Sequence, residues 1–275
     1  MKSNFNNLTQ TKISRFVKKP SHALIISSLD DNYNLLVAEK IAEDLIGQDI
    51  GTYAFYKSIQ PTKNSISIDS IRDLNDFLKL KVPIDKTINR ICCIYRAQTM
   101  TLESQNAILK DLEEPNQGTL LILCVNNINQ ILPTLVSRSQ ILNINLPTYS
   151  EFEASLDGRY RENEIKIAYN QAGGLPELAK SILNDSDHPL IEISSKAKSF
   201  ISLSKFERLS MINESKDRRA SIELIKVIIQ IARLGIKASD NNKWQNIYES
   251  AFKSLKQIEA NVPSKLVLSQ LSLAF

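Results

Sequence analysis

Hydrophobic and polar positions alternate along this chain in two different ways, and the change from one to the other divides it. Up to about residue 147, short apolar runs are separated by amphipathic stretches. Residues 23–26, 53–57, 91–95, 120–125 and 141–146 read as strands. The runs 91–95 and 120–125 are nearly continuous, which is the pattern of strands covered on both faces, as in a parallel sheet. Between them, residues 35–46 carry Leu35, Ala38, Ala42 and Leu45 on one helical face, with Gly47 placed to cap the end. Residues 66–80 carry Ile68, Ile71, Leu74 and Leu78. Residues 102–112 carry Leu102, Ile108, Leu109 and Leu112, with Thr101 as a hydroxyl N-cap and Pro115 forcing the stop. Residues 1–20 are polar and read as a loose lead-in with a short helix near 13–17.

Beyond residue 147 every periodic stretch is helical. Residues 151–179 form a small helical segment, and residues 184–189 (NDSDHP) read as a polar linker. Residues 191–209 form one helix or two. Residues 221–236 are apolar on nearly every side, as a buried helix is. Trp244, Ile247, Tyr248, Ala251, Phe252, Leu255 and Ile258 make a regular stripe, and Pro263 opens a last helix. The pattern alone predicts an α/β domain up to about residue 147 followed by a helical tail.

Composition narrows the function classes. With 275 residues, 43% hydrophobic and 23% charged, the chain has enough apolar material for two or three domains with proper cores. A net charge of +4 permits contact with nucleic acid without demanding it. No apolar run approaches the roughly 20 residues of a membrane helix, and no charged-then-apolar leader opens the chain. These features predict a cytoplasmic protein that makes no membrane contact. Cys92 and Cys93 are neighbours in one strand and face opposite ways. With Cys124 they read as small buried hydrophobes. No C-x-x-C spacing exists, and His22 and His188 are far apart, so no metal site is expected.

Three pieces of text carry a resemblance. They are NAILKDLEEP (106–115), the apolar run 120–125, and ILPTLVSRS (131–139). In this order they resemble the clamp-loader branch of the AAA+ proteins, and within it the bacterial DNA polymerase III delta-prime subunits, where the text runs NALLKTLEEP, a strand, then LLPTIxSRC. ISIDSIRDL (66–74) and QAGGLPELA (171–179) extend the likeness in weaker form from His22 to Ala179. The resemblance implies a parallel-sheet AAA+ base over 1–147, a helical lid over 148–186 and an α-helical collar over 187–275 that joins subunits into a ring.

It also shows where the chain departs from an active ATPase. A working P-loop reads G-x-x-x-x-G-K-[ST], because backbone N–H groups, a lysine and a hydroxyl must wrap the phosphates and hold magnesium. Residues 27–36 read SSLDDNYNLL instead, with no glycine or lysine, and Asp30 and Asp31 put negative charge where polyphosphate lies. At the end of the strand 91–95, Tyr95, Arg96 and then Gln98 stand where an acidic pair belongs. Asn126 and Asn127 occupy the region of a γ-phosphate sensor and read as loop formers. Pro176 stands where relatives carry a nucleotide-contacting arginine. The four-cysteine zinc module of many delta-prime relatives is absent from 47–64. No cofactor is therefore expected.

The resemblance assigns one functional residue. Arg138, with Ser137 in support, matches the Ser-Arg-Cys triplet that offers an arginine to the ATP of an adjacent subunit. Ser139 replaces the Cys and leaves the charge untouched. A guanidinium suits spread phosphate charge. The implied partners are gamma/tau-type motor subunits and a delta subunit, and indirectly a sliding clamp and primed DNA. The assembly as a whole is classed as a DNA-directed DNA polymerase. Two alternatives remain: a delta-type clamp-gripping subunit, which lacks the finger, and a degenerate AAA+ adaptor in another assembly. From the residues alone, Arg138 is also readable as a surface arginine in a local ion pair.

Overall fold

The computed structural model describes residues 5–62, 64–83, 86–156, 158–185, 188–212, 217–238 and 242–275. It separates into two compact units, Met1–Pro147 and Thr148–Phe275. Two residues of the expected 184–189 linker, 186 and 187, lie outside the described residues, as does one residue of the loop 61–65.

The first unit is a five-stranded parallel sheet. Its strands are β1 (Ala23–Ser27), β2 (Tyr56–Ile59), β3 (Arg90–Ile94), β4 (Thr119–Val125) and β5 (Gln140–Asn143), in the order β2-β3-β4-β1-β5. All seven residues of β4 and all five of β3 are buried, which is why both read as continuous apolar runs. Alternate side chains enter two separate cores. Leu24, Ile26, Cys93, Ile122 and Cys124 face one, while Ile25, Cys92, Ile94, Leu121 and Leu123 face the other. Each buried Leu or Ile contributes about 1.5–3 kcal/mol. The cysteines are therefore core residues on opposite faces of the sheet, and burial raises the Cys92 thiol to about 12.

The first core is covered by α1 (Asn7–Lys18) and α2 (Asp31–Ile46). The N-terminal stretch is thus a full helix, longer than the short helix expected near 13–17. Asn6 caps it by accepting from the Thr9 N–H, and Thr9, Ile13 and Phe16 are buried beneath it. The helix α2 starts four residues earlier than its apolar stripe, because Asp30 supplies the N-cap; Gly47, at φ 77°, closes it as expected.

The second core is covered by α3 (Ile68–Leu78), α4 (Leu102–Ala107), α5 (Leu109–Glu113) and α6 (Pro133–Ser137). The predicted helix 102–112 is broken at Ile108. As a result Leu102, expected on the buried stripe, is 61% exposed. Thr101 caps α4 by accepting from the Ser104 N–H. Asp69 and Arg72 form the expected exposed i,i+3 pair, at 2.9 Å. The strand β2 lies three residues later than expected, after a 3-10 turn at Ile50–Thr52.

The second unit is all helix: α7 (Tyr149–Ala154), α8 (Glu162–Gln171), α9 (Pro176–Asn184), α10 (Pro189–Ser202), α11 (Lys205–Ile212), α12 (Arg218–Ala238), α13 (Asn242–Glu259) and α14 (Ser264–Ala274). It holds two apolar clusters. One gathers Phe152, Ile165, Ala172 and Ile182; the other gathers Phe200, Ile225, Ile228, Ile247 and Leu268. Buried Arg208 ties the C-terminal end down by donating to the carbonyls of Ile201, Ser272 and Phe275. No described helix is long and apolar enough to cross a membrane.

Candidate functional site

In an open parallel sheet the ligand crevice lies beyond the carboxyl ends of the strands, where the strand order reverses. Here that is the loop from β1 into α2, flanked by the ends of β3 and β4. A helix N-terminus opening onto such a loop is an anion seat, because its first N–H groups have no partner within the helix.

In this chain the seat is taken by the chain itself. The Asp30 carboxylate accepts from the N–H groups of Asn32 (3.0 Å) and Tyr33 (3.1 Å). Asp31, in the first turn of α2, gathers the neighbouring strand ends. One of its oxygens accepts from Asn126 Nδ2 at 2.9 Å and lies 3.2 Å from Arg96 Nε. The other accepts from Gln98 Nε2 at 3.2 Å. Gln98 in turn accepts from the Asn126 N–H at 3.4 Å. The Tyr95 hydroxyl donates to Asn32 at 2.6 Å, and burial followed by the Asp31 charge keeps its pKa above the ordinary 10, so it remains a donor. Asn34 Nδ2 donates to the carbonyls of Ser28 and Val125, closing the gap between the β1 and β4 loops.

The network has a local cost and a local gain. Arg96 adopts φ 52°, ψ 48°, a left-handed conformation worth about 1–2 kcal/mol of strain for a residue with a Cβ. This conformation turns the chain from β3 into the 3-10 turn Ala97–Thr99, with Arg96 against Asp31. The negative charge of Asp31 at the start of α2 gains about 0.3–1 kcal/mol from the helix dipole.

These residues do not fit a nucleoside triphosphate with its magnesium. The loop offers no glycine cradle, lysine or metal-holding hydroxyl, Asp30 occupies the N–H donors of Asn32 and Tyr33, and Asp31 draws the side chains of Asn126, Gln98 and Arg96 to a second carboxylate beside them. Among the described residues no group of His, Cys, Asp and Glu is arranged to hold a metal ion.

The expected finger lies elsewhere. Arg138 is the C-cap of α6, two residues before β5. Its guanidinium donates to the Thr134 carbonyl at 3.1 Å and pairs with Glu113 at 2.9 Å. Ser137 Oγ donates to the same carbonyl at 3.1 Å. The Arg138 side chain is 37% exposed and that of Glu113 is 51% exposed, so the pair is worth about 0–1 kcal/mol and opens at little cost. Position matters more. The first residue of β5, Gln140, is in register with Leu24 near the start of β1. Arg138 therefore lies at the amino end of the parallel sheet, whereas Asp31 follows the carboxyl end. Four strand residues at about 3.3 Å each put roughly 13 Å between those levels. Arg138 and the crevice of its own chain face opposite ends of the sheet.

The structure thus brings together Asp30, Asp31, Tyr95, Arg96, Gln98 and Asn126, and keeps Ser137 and Arg138 apart from them. Pro176 opens α9 at its first turn, and Asn127 caps a 3-10 turn by accepting from the Asn129 N–H. Sequence reading missed Asn32, Asn34 and Glu113. Only Asn34 carried a signal, as a polar residue on the apolar side of α2.

The family model described as DNA polymerase III, delta subunit matches residues 49–148. The DNA polymerase III subunit delta' of Haemophilus influenzae is 29% identical over 133 residues, 47% of this chain and 40% of its own length. That of Bacillus subtilis is 23% identical over 228 residues, 78% of this chain and 66% of its own length. Over these stretches the chain is similar to DNA polymerase III delta-prime subunits. A third delta-prime subunit, from Pseudomonas aeruginosa, is 31% identical over 90 residues, 32% of this chain and 27% of its own length. The matches to the delta-prime subunits of Haemophilus influenzae and Pseudomonas aeruginosa thus span less than half of those proteins. Among solved structures, a DNA polymerase III gamma subunit-related protein from Thermotoga maritima shares the fold, with a TM-score of 0.53 at 20% identity over 98% of both chains.

Proposed function

We propose that this chain is a non-hydrolysing, delta-prime-like subunit of a DNA polymerase III clamp loader, and that it supplies Arg138 in trans to ATP held by a neighbouring motor subunit. The observation that carries the proposal is the occupied anion seat. Asp30 takes the helix N–H donors that a nucleotide of its own would need and Asp31 sets a second carboxylate beside them, while an arginine of finger type sits exposed at the other end of the sheet. An arginine so placed serves a neighbour's site rather than its own. Under this reading residues 1–147 are the base, 148–186 the lid and 187–275 the collar. The partners are gamma/tau-type motor subunits and a delta subunit, which together open a sliding clamp and load it on primed DNA.

One observation favours a second reading, a degenerate AAA+ adaptor in another assembly. Arg138 already has an anionic partner in Glu113. Reconstitution separates the two. The chain is mixed with motor and delta subunits of the same source, and the mass of the eluted complex and its ATP turnover are measured with and without it. A stable complex that turns over ATP faster with this chain present supports the clamp-loader reading. Failure to form a complex supports the adaptor.

A further inference from the structure

The net charge of +4 is unevenly placed. Of the chain's 34 basic residues, five fall within residues 1–29, which contain no Asp or Glu; the other 29 face 30 acidic residues in the remainder. The excess positive charge therefore belongs to the N-terminal segment, and α1 carries Lys12, Arg15 and Lys18, with Lys19 at its C-cap. One face of α1 is committed to the core through Thr9, Ile13 and Phe16. The opposite face presents Asn7, Gln10, Thr11, Ser14, Arg15 and Lys18, which line a shallow open concavity of about 580 Å³. Lys12 is already used, donating to the Asn143 carbonyl at 2.6 Å. Among the described residues, Arg15, Lys18 and Lys19 pair with no carboxylate.

We infer that this face of α1 is a docking surface for the phosphate backbone of duplex nucleic acid. Unpaired cations interleaved with short amide and hydroxyl side chains are the residue set that contacts phosphates. A duplex presents about one negative charge per 1.7 Å of axis, and α1 runs beside it for about 18 Å. The face fits a membrane surface poorly, because an interfacial helix must insert an apolar face, and that of α1 is buried in the core. It fits a protein partner poorly as well. Of its exposed residues only Leu8 is a large apolar one, whereas protein interfaces centre on apolar or aromatic anchors. The inference stands apart from the role proposed for Arg138.

The test is fluorescence anisotropy of a labelled duplex titrated with the full chain across a range of salt concentrations. The variant R15Q/K18Q/K19Q removes three exposed cations and touches no core residue. It is expected to bind roughly tenfold or more weakly and to lose about 2.7 from the slope of log K against log salt, with unchanged circular dichroism. The control K253Q/K256Q/K265Q removes equal charge elsewhere and is expected to retain wild-type binding. The inference is overturned if the α1 variant binds with wild-type affinity and slope, or if both variants weaken equally. It is also overturned if anionic vesicles bind with this dependence while the duplex does not bind.

Discussion

Replacing Asp31 with Ala removes the acceptor on which Arg96, Gln98 and Asn126 converge. Its cost can be worked from the geometry. The Arg96 ion pair, at 3.2 Å, has a bare Coulomb energy of about 5 kcal/mol at an effective dielectric constant near 20. The Arg96 side chain is 45% exposed, and solvent screening with the entropy of ordering reduces this to about 1 kcal/mol. The amide bonds from Gln98 and Asn126 contribute about 1 kcal/mol each, and the helix dipole about 0.5 kcal/mol. The total is about 3.5 kcal/mol. Trp244 lies in the other unit and does not report on this site, but the three cysteines do, since Cys92, Cys93 and Cys124 are all buried in β3 and β4. Burial raises the Cys92 thiol, and the Cys93 contact followed by burial raises that of Cys124, so labelling is slow until the unit opens. With a slope of about 2 kcal/mol per molar urea, Asp31→Ala should lower the thiol-exposure midpoint by about 1.7 M, and Asp31→Asn by less. A shift under about 0.3 M would refute the network as a stabilising element.

Three further outcomes are expected. Arg96→Gly loses the ion pair but relieves the left-handed strain, so it should be more stable than Arg96→Ala by about 1 kcal/mol; equal thiol protection of the two contradicts this. Burial, then repulsion from Glu43, holds Glu39 above its ordinary 4.5. The folded state therefore binds that proton more tightly than the unfolded chain, and the associated stability is lost as pH rises through the raised value. Glu39→Gln should accordingly unfold at higher urea than wild type at pH 7, with the gain vanishing at acid pH; equal midpoints at pH 7 refute the reasoning. A Cβ at Gly235 would lie 2.2 Å from Cδ2 of Trp244. Overpacking at about 1–3 kcal/mol then outweighs the roughly 1 kcal/mol of helix propensity, and Gly235→Ala should lower the midpoint read by Trp244 fluorescence rather than raise it.

The strands β1, β3 and β4 were legible because residues buried on both faces leave uninterrupted apolar runs. The helix α1 was read short because one of its buried positions is Thr9, which counts as polar, and because its cap, Asn6, sits in polar text. The edge strands β2 and β5 were misplaced by a few residues, since one flank of each lacks the pairing that fixes register. The absence of phosphate-binding residues could be read directly from 27–36. The use of Asp31 could not, because its partners lie 65 to 95 positions away and only the parallel order of β1, β3 and β4 brings them together. A local ion pair for Arg138 was open to reading from the residues, but its partner was not, because Glu113 lies 25 positions away at the end of α5.

The most direct test of the central claim is ATP turnover by the reconstituted complex carrying Arg138→Ala, with assembly checked by mass. If Arg138 acts as proposed, its exposed, weakly held side chain should be replaceable with assembly intact, while turnover falls by ~10³-fold, the loss expected when an arginine finger is removed. Arg138→Lys should not restore it, because lysine lacks the planar fork. An intact complex with unchanged turnover would contradict the account and leave Arg138 as a surface partner of Glu113.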